Sequence, residues 1–138
     1  MISFFVPGTP RGWQRTRHNG RTGTFFNDKV TANAEANVAF HGAKALHEQR
    51  YDLLEGPLAL TVIVHCPIAA SWSNKKRQEA LAKPLTCTSK PDLDNCVKLV
   101  MDGLNRVVWR DDRQVVQIVA SKVYSDKPGT AVEIREVK

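Results

Sequence analysis

Residues 57–68, PLALTVIVHCPI, are apolar on both alternating faces, with Leu58, Leu60, Val62 and Val64 on one side and Ala59, Thr61 and Ile63 on the other. A strand buried on both faces belongs in the middle of a sheet. Three further runs have strand character. ISFFV (2–6) is rich in β-forming residues and stops at Pro7. QVVQIVASKVY (114–124) is long enough to cross a sheet, and SDKPG (125–129) after it is a turn. TAVEIREV (130–137) sets Val132 and Ile134 against Glu133 and Arg135, a pattern that predicts an edge strand.

Two segments follow a helical period instead. Over 27–50, Val30, Ala34, Val38, Ala45 and Leu46 recur near 3.6 residues, with Asn27 or Asp28 as cap and Gly42 as a mild blemish. Over 93–105, Leu93, Val97, Val100, Met101 and Leu104 form an apolar stripe. The polar stretch 69–90 holds a short helix over 73–82, starting at Ser73 or Asn74. These elements predict an α/β fold of the α+β type: a small mixed β-sheet packed against two main helices. No repeat or linker divides residues 1–138, so they are expected to form a single domain, one large enough to bury roughly two-thirds of its unfolded surface.

Composition narrows the setting. No apolar run approaches the ~20 residues of a membrane span, and MISFFVPGTP reads as a first strand rather than a signal peptide. Cys66, Cys87 and Cys96 have no zinc-ligand spacing and are expected to be reduced in a cytoplasmic protein. His18, His41, His47 and His65 likewise show no ligand spacing.

The net charge of +6 points to an anionic partner, nucleic acid first. That charge is segregated. Arg11, Arg15, Arg17 and Arg21 fall in 7–23, a loop or loosely paired arm with four glycines, two prolines and no acid. Lys75, Lys76 and Arg77 form a second basic cluster, followed by Lys83 and Lys90. Trp13, Phe25, Phe26 and Trp72 lie beside these clusters and suit either base stacking or plain packing. The acids gather at 92–112.

Within that acidic region, Asp92 and Asp94 are two residues apart at a helix start. An extended entry points both the same way, whereas a helix does not. Pro91 disfavours a helical Lys90, so Asp92 ends the entry and Asp94 sits at or near the cap. Asp94, Lys98 and Asp102 then run along one edge of the helix, beside the stripe, and the segment with Asp111 and Asp112 is their natural neighbour.

Each residue alone has a plain explanation. Asp92 or Asp94 suits an N-cap, Lys98 suits i,i+4 ion pairs, and Asp111–Asp112 suits an acidic turn. Together they read as carboxylates gathered around a divalent cation, which relieves their mutual repulsion. Oxygen donors without His or Cys favour Mg²⁺ or Mn²⁺. In a basic protein such a set suits phosphodiester hydrolysis, with Lys98 offsetting developing charge and the basic arms on flanking phosphates.

The stretch KPDLDNCVKLVMDGLN, followed by VVWRDDRQV, resembles the signature of the RusA family of Holliday junction resolvases, roughly KPDxDNxxKxxxDxL and then DDxQV. VPGTPRGWQRTR resembles the family's opening, with Trp13 and Gln14 departing from its more basic pattern. The resemblance implies a homodimeric, Mg²⁺-dependent endonuclease that nicks four-way DNA junctions in pairs, in recombination and repair, of phage or prophage type. By position it assigns the essential aspartates to Asp92, Asp94 and Asp112 and the important lysine to Lys98. Asp102, Asp111 and Asn95 take supporting places, and Arg11, Arg15, Arg17, Arg21, Lys75, Lys76, Arg77 and Lys90 are the candidate DNA contacts. A metal-dependent nuclease for forks or flaps, and a module that binds branched DNA without cutting, are the alternatives.

Overall fold

The computed structural model describes residues 1–14, 17–26 and 29–138, the side chains of 17–19 and 24–26 excepted. The suggested caps Asn27 and Asp28, and Arg15 of the basic arm, lie outside the described residues. Four strands form one sheet: β1 (Ile2–Pro7), β4 (Leu58–Cys66), β5 (Val115–Tyr124) and β6 (Gly129–Glu136). Their order is β1-β6-β4-β5. β2 (Arg17–Asn19) and β3 (Thr24–Phe26) form a separate hairpin within the basic arm. The helices are α1 (Lys29–Glu48), α2 (Asn74–Ala82) and α3 (Leu93–Leu104).

β4 is central, as its two apolar faces require, antiparallel to β6 and parallel to β5. Parallel neighbours cannot be joined by a hairpin, so the chain crosses over through α2 and α3 between them. β6 departs from expectation. It lies between β1 and β4, with Val132 and Ile134 buried and Glu133 and Arg135 exposed. Its alternation reports that one face of the sheet is open to water; it says nothing about which strands flank it. The edges are β1 and β5.

Ile2, Val6, Leu58, Leu60, Val62, Val64, Val132 and Ile134 form the sheet's share of the core, against Val38 and Ala45 of α1 and Val100 and Leu104 of α3. Burying each large aliphatic side chain of this kind stabilises the fold by about 1.5–3 kcal/mol. α3 buries Cys96, Leu99, Val100, Gly103 and Leu104, so its innermost line is rotated from the predicted stripe; Leu93, Val97 and Met101 are only half-buried at its margin. Glycines set the helix crossing. A Cβ on Gly42 would lie 2.5 Å from Leu104 Cδ2 and 3.1 Å from Val108 Cγ2. One on Gly103 would lie 2.9 Å from Val38 Cβ and 3.0 Å from the Glu35 carbonyl oxygen. Gly42, a blemish by propensity, is what lets α1 and α3 approach.

Candidate active site

Asp92 is the N-cap of α3, and its backbone is extended (φ −65°, ψ 140°). The Asp92 carbonyl accepts from the Cys96 N–H at 3.1 Å, but its carboxylate makes no capping hydrogen bond. The ordinary use of an aspartate here is therefore not realised. Asp94 follows in the first helical turn, where the helix dipole favours negative charge, and both carboxylates are exposed. Their field reaches Cys96: burial pushes that thiol up to about 11, Lys122 opposes the rise, and Asp92 and Asp94 add to it. The entry to the helix is tied to β5, because Lys122 Nζ donates to the Ser89 carbonyl at 2.6 Å and the Pro91 carbonyl at 3.1 Å.

Further along α3, Lys98 Nζ stands 3.6 Å from Asp102 Oδ2, with the lysine about half exposed. The ammonium also lies 4.6 Å from the centre of the Trp13 ring. Asp102 is half-buried, and it has an acidic neighbour on α1. Burial raises the Glu35 carboxyl above its usual range, Asp102 raises it further, and Lys98 pulls it back.

The two adjacent aspartates before β5 do different work. Asp111 caps a single 3-10 turn (Asp112–Gln114): its carboxylate accepts from the Arg113 N–H at 2.9 Å, while Gln114 Oε1 accepts from the Asp111 N–H at 3.0 Å. Gln114 Nε2 donates to the carbonyls of Leu54 and Gly56, fastening the turn to the segment before β4. Asp112 is released from capping. Its Oδ1 accepts from Nε1 of the fully buried Trp109 at 2.8 Å. Burial raises the Asp112 carboxyl, the indole hydrogen bond lowers it, Asp102 and Asp111 raise it and Lys98 lowers it; the net direction is upward. Asp112 is thus a half-buried carboxylate held by one strong donor, in the field of two more acids and an ammonium.

The basic residues divide. Arg11 and Lys90 line one open groove of about 470 Å³ with Trp13, Pro91, Asp92 and Asn95. Arg21 is exposed in the turn between β2 and β3, and Arg17 begins β2. Lys75, Lys76 and Arg77 occupy the first turns of α2, where Ser73 accepts from the Lys76 N–H at 3.2 Å. Lys76 Nζ lies 4.1 Å above the Trp72 ring, and Trp72 packs edge-on to Tyr124 at the end of β5. Asn95 supports the arm: its carbonyl accepts from the Trp13 N–H at 2.9 Å.

Among the described residues, no three His, Cys, Asp or Glu side chains are gathered to hold one metal ion. The donor chemistry still suits a hard divalent cation. Mg²⁺ keeps several waters and is commonly held by one or two carboxylates plus substrate phosphates rather than by an all-protein cage. Exposed Asp92 and Asp94 at the head of α3, with no capping hydrogen bond made by the Asp92 side chain, suit that mode as a pair, while the acids whose charge reaches Asp112 are Asp102 and Asp111.

Four contributors are absent from the sequence motif. Glu35 comes from a distant helix, and Lys122 from a strand. Trp109 has the pattern of a core residue and nothing more. The attachment of residues 12–13 to α3 is a backbone contact, which leaves no trace in side-chain pattern.

The family model described as "Endodeoxyribonuclease RusA" matches residues 7–135. The chain is 36% identical over 138 residues to the "Uncharacterized protein YqaN" of Bacillus subtilis (strain 168), covering 99% of this chain and 96% of that protein. It is also 41% identical over 51 residues to the "Crossover junction endodeoxyribonuclease rusA" of Lactococcus phage r1t, covering 36% of this chain and 39% of the phage protein. With the match extending from the end of β1 almost to the end of β6, the chain belongs to the RusA endodeoxyribonuclease family.

Proposed function

We propose that this endodeoxyribonuclease resolves four-way DNA junctions by paired nicks, using Mg²⁺ or Mn²⁺, and acts as a homodimer in the cytoplasm of a phage- or prophage-bearing host. The observation that carries the reading is the division of labour before β5. Asp111 and Gln114 hold the turn, and Asp112 is left half-buried beside Asp102 and Lys98. The name of the phage relative favours junctions as the substrate.

Asp92, Asp94 and Asp112 would hold the cation, which when bound supplies activation of the attacking water and stabilisation of the leaving oxygen. The chain's own groups do the rest. The Trp109 indole keeps Asp112 oriented. Lys98, close to both Asp102 and Asp112, offsets negative charge that develops on the scissile phosphate. Arg11 and Lys90 at the groove, and Lys75, Lys76 and Arg77 on α2, neutralise flanking phosphates. Two opposed nicks need two equivalent sites, which a C₂ pair of chains supplies.

The test is cleavage of an immobile four-way junction with Mg²⁺ and with EDTA, beside a linear duplex and a Y-fork of the same arm sequences. Paired nicks in the junction alone, lost with EDTA and lost in Asp94→Asn while junction binding persists, are expected. Preferred cutting of the fork would replace junctions as the substrate. Tight binding with no cutting under any divalent metal would leave a branched-DNA binding module. Light scattering should give twice the 15.4 kDa of one chain; a monomer at micromolar concentration removes the paired-nick scheme.

A further inference from the structure

We propose that Trp13 is a positioning residue for Lys98, its ring fixing where the ammonium sits at the active site; this rests on the reading of Lys98 as the cation of the cleavage reaction. Lys98 is a flexible chain on an exposed edge of α3, so its charge would otherwise spread over many rotamers. Two partners restrict it. Asp102 lies 3.6 Å away on its own helix. The Trp13 ring centre lies 4.6 Å away on a different segment. An ammonium within about 6 Å of an indole face is attracted by the ring quadrupole.

The ring is not placed there by chance packing of a loose arm. The Trp13 N–H donates to the Asn95 carbonyl at 2.9 Å, which fastens the arm one turn before Lys98. Gly12 makes the close approach possible, since a Cβ there would meet Asn95 Cβ at 3.0 Å and Pro91 Cβ at 3.2 Å. The arm thus lies flush against the first turn of α3, and the next side chain reaches the lysine. Glu35 of α1 and Asp112 before β5 also feel the Lys98 charge, from other elements. Trp13 adds a neutral partner on the arm side, so it fixes the lysine without adding charge to the site.

Trp13 also lines the groove beside Asp92, which makes base stacking the competing role. The experiment separates them by measuring single-turnover cleavage of a four-way junction at saturating protein, and junction affinity without metal, for Trp13→Phe, Trp13→Leu and the parent. Loss of the ring in Trp13→Leu is expected to slow cleavage about three- to tenfold with affinity within twofold, and Trp13→Phe to restore the rate. In a Lys98→Ala background, Trp13→Leu should cost nothing further.

A second readout needs no activity. The Lys98 ε-methylene protons, assigned by comparison with Lys98→Arg, should resonate upfield through the ring current in the parent and in Trp13→Phe, and return to the ordinary lysine position in Trp13→Leu. Equal rates for Phe and Leu, a loss confined to affinity, or an unshifted ε-methylene in the parent would overturn the proposal. If Lys98→Ala itself cuts normally while the ring-current shift is present, the contact stands and the role of Lys98 in cleavage falls.

Discussion

The face of α3 turned toward α1 and the edge carrying Asp94, Lys98 and Asp102 differ in how much slack the fold leaves them. Where that face meets α1, two glycines, Gly42 of α1 and Gly103 of α3, bring the helices so close that one added carbon would fall at 2.5 or 2.9 Å from a side chain of the other helix. On the polar edge, Asp94 is exposed, Lys98 is about half exposed, and Asp102 makes one ion pair at 3.6 Å. The tight face gives the helix its position; the slack edge carries the residues proposed for the chemistry. Charged groups kept together without full pairing weaken a fold, and that cost is common at sites selected for reaction rather than stability.

The largest effect that would test this contrast is in Asp112→Asn. Cleavage should fall roughly a thousandfold or more, while the Trp109 hydrogen bond can still be accepted by the amide oxygen. Stability should not fall with it. The Asp112 carboxyl is raised above its ordinary 3.8, so the folded chain binds that proton more tightly than the unfolded one. Stability from this group is therefore present below 3.8 and is lost as pH climbs through the raised value. At pH 7 the asparagine variant should melt at or above the parent, and the parent should lose more stability than the variant across the acid-to-neutral window, where raised Glu35 acts in both. A variant that melts well below the parent would place Asp112 among the structural residues with Asp111.

On the tight face the expectation reverses. Gly42→Ala should destabilise by about 1–3 kcal/mol in denaturant unfolding, through overpacking against Leu104 and Val108, and leave the cleavage rate of the folded fraction intact. A neutral outcome would mean that the crossing has room the geometry does not suggest. Smaller again, replacing Lys75, Lys76 and Arg77 together by alanine should weaken junction binding in a salt-dependent way. The slope of log affinity against log salt should drop by up to about 0.9 for each phosphate that is no longer neutralised; an unchanged slope would take α2 out of the DNA interface. The smallest effect belongs to the pair of Arg110 and Glu55, 2.8 Å apart with both side chains 68% exposed. Glu55→Gln should change stability by under about 1 kcal/mol, which sets the background for the larger effects.

Much of this arrangement is legible in the sequence. The central place of β4 follows from two apolar faces, and α2 from Ser73 ahead of a basic run. The chemistry proposed for Asp92, Asp94, Lys98 and Asp112 follows from acids clustered in a basic chain. The illegible parts have physical reasons. Alternation in β6 encodes which face is wet, so it misplaces an interior strand at the edge. Hydropathy gives glycine no weight in a stripe, so Gly103 escapes the pattern although it marks the innermost line of α3. Glu35 meets Asp102 only through the helix crossing, which no local pattern contains. The separate roles of Asp111 and Asp112 depend on which carboxylate the 3-10 turn consumes, and identical side chains carry no sign of that.

The contact between Gly42 and Leu104 has a consequence for how such chains can drift. The hole at one position is filled by the bulk at the other, so neither can change alone without cost. A relative that carries alanine or serine at the place of Gly42 should carry a smaller residue at the place of Leu104, whatever DNA it cuts. Substitutions at this crossing should therefore keep their own joint record through descent, separate from that of the aspartates a few residues away.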